Sequence, residues 1–386
     1  MLVDLLDVGR VVLGLALLIA GGEALVRGAS TLATRLGIAP LVVGLVIVSA
    51  STSAPELAVT VGAVAAGDPD LAVGNVVGSN IVNVLFILGL SAMFLPLIVK
   101  RQLVRFDIPV MVGITILLLA LSLDGEITQL DGILLFAAAA VHVAMSFWFS
   151  KRDPELAGDL DIPAAPSKLS PAAQIAAAVA FVLVGIGLLV LGAGFLVEGA
   201  SNIATGFGVS SLVIGLTVVA IGTSLPELVT SIVAVRRGER DIAVGNIVGS
   251  NIFNIGVVLG IPAMFFPAGI PVAASAIALD LPLALAAAVA LLPIAFTGFA
   301  IARWEGGLFV ALYVAYTVYL ILNAVQHDAL SGFTTVMVFF VLPLVAITLI
   351  AITAYEVGLI RGRRQAADPE RDSAAPSPAD PSSASR

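Results

Sequence analysis

The chain has no cysteine, two histidines and only 11% charged residues in 386 positions. Each shortage excludes a class. Zinc or thiol chemistry needs clustered Cys and His, and a disulfide-built scaffold needs paired cysteines. A nucleic-acid binder needs a basic face, whereas the formal charge is −8. A soluble domain carries about 25% charged residues, so this chain has too few to cover a water-facing surface. What it has instead is 60% hydrophobic residues and a mean hydropathy of +1.12. It reads as an integral membrane protein. The first apolar run continues past signal-peptide length without a small-residue cleavage site, so it is expected to be a span rather than a leader.

A membrane helix needs about 20 mostly apolar residues. On that criterion eleven spans are expected, near 9–28, 38–66, 71–96, 106–123, 131–149, 173–199, 209–235, 241–266, 280–299, 304–323 and 334–359. The second, third, seventh and eighth are long and carry Gly, Ser, Thr and Asn at their centres. Lys and Arg concentrate in the odd-numbered connections and after the last span, as at Lys100, Arg101, Arg105, Lys151, Arg236, Arg237 and Arg240. Acids such as Asp68, Asp70 and Asp124 occupy the even-numbered ones. Short cytoplasmic loops retain positive charge, which predicts an outside N-terminus, a cytoplasmic C-terminus and an odd number of spans.

Shifting the sequence by 171 positions aligns 28–90 with 199–261 without a gap, with about half of the positions identical. Shared Thr, Ser, Pro, Glu and Asn at fixed spacing mark a duplication, beyond what two apolar helices share by composition. Asp68 and Asp70 follow the motif in the first copy but Arg236, Arg237 and Arg240 in the second. Equivalent connections therefore belong to opposite membrane faces, and the copies are inverted, the architecture of alternating-access carriers. The expected fold is all-α: a first five-span repeat over 1–150, a cytoplasmic linker over 151–171, a second repeat over 172–330, an accessory eleventh span over 331–360, and a disordered tail over 361–386.

Each copy holds Thr-Ser-x-Pro-Glu in mid-span: Thr52, Ser53, Pro55 and Glu56, then Thr223, Ser224, Pro226 and Glu227. Proline lacks an amide hydrogen and clashes with the carbonyl four residues earlier, so Pro55 is expected to free the carbonyl of Ser51 and Pro226 that of Gly222, with those of Ser49 and Ala220 opening nearby. Exposed carbonyls at membrane depth are tolerated only around a buried or wet cavity. A carboxylate at that depth costs at least about 2.5–3.5 kcal/mol, so two in equivalent helices signal function. The third and eighth spans add Gly-Ser-Asn-x-x-Asn. Ser79 and Asn83, like Ser250 and Asn254, are four apart and share a helical face. Asn80 and Asn251 are expected to point elsewhere and bond neighbouring backbone. Carboxylate, carboxamide, hydroxyl and carbonyl oxygens without imidazole or thiolate suit Ca²⁺ or Na⁺.

These residues resemble the paired alpha repeats of the sodium/calcium exchanger family, within the cation/calcium antiporter superfamily, in a prokaryotic form without cytosolic regulatory domains. The resemblance implies an antiporter, not an enzyme, that exchanges Na⁺ for Ca²⁺ by alternating access, with Ca²⁺ leaving as Na⁺ enters. It implies as ion ligands Thr52, Ser53, Glu56, Ser79 and Asn83, then Thr223, Ser224, Glu227, Ser250 and Asn254, with backbone oxygens of Ser49, Ala220, Thr52 and Thr223. No cofactor, nucleic acid or obligatory protein partner is implied; Ca²⁺ and Na⁺ are cargo and the lipid bilayer is the setting. Asn254 stands where many microbial and potassium-dependent relatives have Asp, and proton-coupled members carry Gly-Asn-Ala-x-Glu instead of the motif here. Proton-coupled or K⁺-dependent exchange is the alternative, with a cation channel behind it. The first and sixth spans lack ligands and are candidates for a moving gate. Four side chains away from the motifs receive structural readings: His142 and His327 as unpartnered residues near span ends, Asp107 and Asp280 as helix N-caps. Glu23 is expected to pair with Arg27 one helical turn on, and Glu198 to face water.

Overall fold

A computed structural model describes residues 5–152, 170–208, 218, 220–296 and 298–367. The linker, most of the first half of the seventh span and the tail after 367 lie outside the described residues. The chain is helical nearly throughout. The helices are α1 (Leu5–Leu36), α2 (Pro40–Thr52), α3 (Ala54–Ala66), α4 (Pro69–Phe94), α5 (Leu103–Leu121) and α6 (Gln129–Arg152). The second half has α7 (Pro171–Gly206), α8 (Ala220–Thr223), α9 (Leu225–Arg236), α10 (Arg240–Phe265), α11 (Ala276–Phe296), α12 (Arg303–Ala324) and α13 (Ala329–Tyr355, continuing to Ala367). Among the described residues nine helices are long and apolar enough to cross a membrane. A tenth is counted when α2 and α3, bent by 42° at their junction, are taken as one span. The expected single second span is thus broken at Ser53, where Pro55 starts a fresh helix in its first turn.

α1 and α7 pack against each other antiparallel along their glycines. A Cβ on Gly14 would lie 2.8 Å from the carbonyl of Gly192, and one on Gly21 would lie 2.9 Å from that of Gly185. Without hydrophobic drive between helices in lipid, such backbone approach is what holds them together. At one end Arg10 pairs with Asp7 at 2.6 Å and with Glu198 at 3.3 Å, and Asn202 donates to Asp7 at 2.9 Å. Glu198 faces water as expected, with its side chain 54% exposed, and pairs with α1 from there. Nearer the other end Glu23 pairs with Arg237, not with Arg27, and Ser30 donates to Glu239 at 3.2 Å.

Four two-residue strands tie the connections together. β1 (Leu97–Ile98) pairs antiparallel with β4 (Ala300–Ile301), and β2 (Glu126–Ile127) with β3 (Ile270–Pro271). Each pair joins one half of the chain to the other. The core sits on α2, α4 and α10; of the best apolar window in α10, 89% is buried, against none in α13. An apolar crevice of about 940 Å³ separates α13 from α11 and α12, away from the carboxylates.

Two structural readings are corrected here. Asp107 and Asp280 lie inside helices that begin a turn earlier through wide, π-type turns, so neither caps an end. Asp107 instead meets the buried His142 Nε2 at 2.9 Å, and Asp280 accepts from the Tyr316 hydroxyl at 2.9 Å. His142 consequently has a partner, 35 residues away in sequence. His327 is exposed, and its Nδ1 accepts the Ala329 amide at 3.1 Å.

Candidate cation site

The break at Ser53 and its counterpart at Ser224 start α3 and α9 with Pro in the first turn and Glu one residue on. Both carboxylates are fully buried, and they are close enough to feel each other's charge. Wide turns over Val82–Leu88 and Asn254–Leu259 interrupt α4 and α10 where Asn83 and Asn254 sit. Such turns gather at functional sites because they re-aim side chains.

Several of the nominated residues meet across the two copies. Ser224 donates to Glu56 Oε1 at 3.5 Å. Thr52 Oγ1 lies 3.5 Å from Ser250 Oγ, and Thr52 and Ser53 lie near the Glu227 carboxylate without bonding it. Asn83, Asn254 and Ser79 are buried, the first two bonded across the copies to Asn251 and Asn80, while Thr223 is half-buried. Ala220 opens α8. Ser49 is hydrogen-bonded at both its carbonyl and its hydroxyl. Its carbonyl accepts the Ser53 amide at 2.9 Å, and its hydroxyl donates to the carbonyls of Gly44 and Asn246. The Ser49 carbonyl is thus not opened by the break, since Pro55 removes the amide that would pair with Ser51 and not the one that pairs with Ser49. In the second copy the matching amide, Ser224, bonds Ile221 at 3.1 Å instead.

Among the described residues ten buried side-chain oxygens have no hydrogen-bond partner; four of them, on Ser91, Gln102, Asp107 and Ser201, lie outside the two motifs, and the other six are Ser53 Oγ, Glu56 Oε2, Asn83 Oδ1, Asn254 Oδ1 and both carboxylate oxygens of Glu227. More than nine in ten buried polar groups in proteins are bonded. Six acceptors failing together, on residues from both copies, make a surface that only a donor or a cation can complete. Among the described residues no three His, Cys, Asp or Glu side chains cluster.

Sequence reasoning passed over Asn246. Its Oδ1 accepts from Thr52 at 3.2 Å and from Ser250 at 3.5 Å, and its amide donates to Ser231 at 3.3 Å. Its counterpart Asn75 donates to the Glu56 carbonyl at 3.1 Å and to Thr60 at 3.0 Å. The signal was available, since both copies keep Asn at this position. Asn80 does bond backbone, the Asn251 carbonyl at 3.2 Å, but it and Asn251 also hold the site's own carboxamides.

Comparison with known proteins identifies the family. Residues 7–148 and 177–322 match the family profile described as sodium/calcium exchanger protein. The inner membrane protein YrbG of Escherichia coli is 37% identical over 263 residues, 68% of this chain and 81% of that protein. The sodium/calcium exchanger MaX1 of Methanosarcina acetivorans is 31% identical over 354 residues, 80% of this chain and 96% of that one. A structure of the sodium-calcium exchanger NCX_Mj soaked with Na⁺ and Sr²⁺ superposes with a TM-score of 0.69 at 30% identity, covering 84% of this chain and 99% of that one. The chain is a multi-pass membrane protein belonging to the sodium/calcium exchanger family of cation/Ca²⁺ antiporters.

Proposed function

We propose that the protein exchanges Na⁺ for Ca²⁺ at one shared site between the copies, with Ca²⁺ moving out of the cell as Na⁺ moves in. The observation that carries this reading is the set of six unbonded buried oxygens around Glu56 and Glu227. Ca²⁺ takes six to eight oxygens in a flexible shell, and the carboxylates match its charge. Thr52, Ser53, Ser79, Asn83, Thr223, Ser224, Ser250 and Asn254 supply further oxygens, with the Ser49 and Ala220 backbone at the rim. Without cations, two close carboxylates in low dielectric repel, which discourages crossing of an unloaded carrier. Loading by either cation set removes that penalty, so exchange results rather than leak.

The α1–α7 pair is the moving gate in this reading. Its glycine seam makes it one body, it carries no ligands, and it leans on the site-bearing α9 at Gly22. The halves of the chain, 1–150 and 172–330, act as inverted repeats, with 331–360 as an accessory span. The distribution of Lys and Arg supports an N-terminus outside and a C-terminus in the cytoplasm.

The test is reconstitution with Na⁺, K⁺, Li⁺ and H⁺ gradients imposed singly. Ca²⁺ uptake that requires Na⁺ on the opposite side is expected. Uptake driven only by a pH gradient, or dependent on K⁺, would replace Na⁺ as the coupling ion. Uptake with no counter-cation would make the protein a channel.

A further inference from the structure

A carboxamide has an acceptor end and a donor end of nearly equal size. A cation ligand works only with its oxygen turned inward, so something must forbid the flipped orientation at Asn83 and Asn254. We propose that Asn251 and Asn80 are positioning residues that fix these two amides, each acting across the copies on the ligand of the other. This inference rests on the exchange reading above.

Two bonds carry it. Asn83 Nδ2 donates to Asn251 Oδ1 at 3.1 Å, and Asn254 Nδ2 donates to Asn80 Oδ1 at 3.0 Å. Exchanging the copies by the 171-residue shift turns one bond into the other. The opposite ends of the same amides, Asn83 Oδ1 and Asn254 Oδ1, are among the buried oxygens that accept nothing. The anchors are fixed in turn. Asn80 Nδ2 donates to the backbone carbonyl of Asn251 at 3.2 Å, and Asn251 Nδ2 contacts Met111 Sδ at 3.5 Å. With their donor ends used, both anchors must offer oxygen to the ligands. All four side chains are at most 6% exposed, so water cannot serve as a substitute partner. Flipping either ligand would oppose two oxygens at the anchor and aim an NH₂ group at the cation. Both changes are unfavourable, and burial magnifies each.

The arrangement predicts a specific rescue. A carboxylate has no donor end, so Asp at 254 presents oxygen whichever way it turns and needs no anchor. In Na⁺-driven vesicles, Asn80→Leu is expected to raise the KM for Ca²⁺ by at least about tenfold, because an unpaired buried donor costs one to a few kcal/mol. Adding Asn254→Asp to Asn80→Leu should restore the KM to within a few-fold of wild type. Adding Asn83→Asp should not, since Asn80 does not hold that residue. A general packing defect would be indifferent to which ligand is changed. If Asn80→Leu fails to reach the membrane, Asn251→Leu with Asn83→Asp as its rescue tests the mirror bond. A wild-type KM in folded Asn80→Leu and Asn251→Leu, or equal rescue by either Asp, overturns the inference. A wild-type protein that moves no Ca²⁺ against Na⁺ defeats the exchange reading and this inference with it, a result distinguishable from the first.

Discussion

α3 and α9 are the same segment of the duplicated sequence, each starting Pro-Glu-Leu from its second residue, yet they are buried differently. On α9, Val233, Ala234 and Val235 are buried, and Gly22 of α1 lies so close that a Cβ there would come within 2.8 Å of Val229. The matching stretch of α3 exposes Ala58, Val61 and Gly62, and among the described residues no comparable seam joins it to α7. Local sequence does not produce the difference, since Val61 and its counterpart Ile232 are equally apolar. The position of the α1–α7 pair does. An inverted duplication could be symmetric, but a carrier must favour one side at a time. In the orientation proposed, α9 leads to the cytoplasm, so the unequal packing predicts that the site, whose two carboxylates are fully buried, is reached from outside.

The largest expected effect tests whether the unequal packing extends to the ligands. Glu56→Gln and Glu227→Gln should each abolish Ca²⁺ flux, although one sits under an exposed segment and the other under a covered one. A variant retaining near-normal exchange would remove its carboxylate from the shared site. Next comes access. The chain has no native cysteine, so Ala58→Cys and Val229→Cys can be read without background. A polar thiol reagent should modify Cys at 58 at least tenfold faster, and equal rates would erase the comparison.

Smaller changes sharpen it. Gly22→Val forces α1 off α9, and overpacking of this kind costs about 1–3 kcal/mol. The expected result is faster labelling at 229 together with slower exchange; unchanged labelling would mean that this seam does not seal the site. Arg237→Gln removes the pairing with Glu23. Both side chains are substantially exposed, so the change is worth about 0–1 kcal/mol and should shift the labelling ratio less than fivefold. The smallest effect concerns Glu239, whose carboxyl burial holds above its ordinary range, opposed by the Ser30 hydroxyl. A raised carboxyl favours the fold below its unfolded value and costs stability as pH climbs through the folded one. Glu239→Gln should therefore melt slightly higher than wild type at neutral pH, with the gap closing below about pH 4.5. A gap that widens in acid would reverse the assignment.

Much of the site was legible because its residues repeat. Thr52, Ser53 and Glu56 recur as Thr223, Ser224 and Glu227, and duplication separates functional polar residues from incidental ones in apolar helices. What was not legible depended on partners far off in the chain. Glu23 has Arg27 one turn away but pairs with Arg237, because the α1–α7 seam carries Glu23 up to the loop after α9. His142 looked unpartnered because Asp107 is in another helix. Asn80 and Asn251 pointed away from their own copy's ligands, as the helical spacing required, and so toward the other copy's. One sequence cannot show that step, since it depends on how two inverted copies meet.

The central claim is that Na⁺ and Ca²⁺ compete for the same oxygens around Glu56 and Glu227. Equilibrium Ca²⁺ binding to the purified protein, titrated with Na⁺ at constant ionic strength, tests it most directly. The account predicts that Na⁺ displaces Ca²⁺ completely with a cooperative dependence, while choline does not, and that Glu56→Gln with Glu227→Gln removes the Ca²⁺ signal. Ca²⁺ that stays bound at saturating Na⁺, or that binds equally well without both carboxylates, would contradict it.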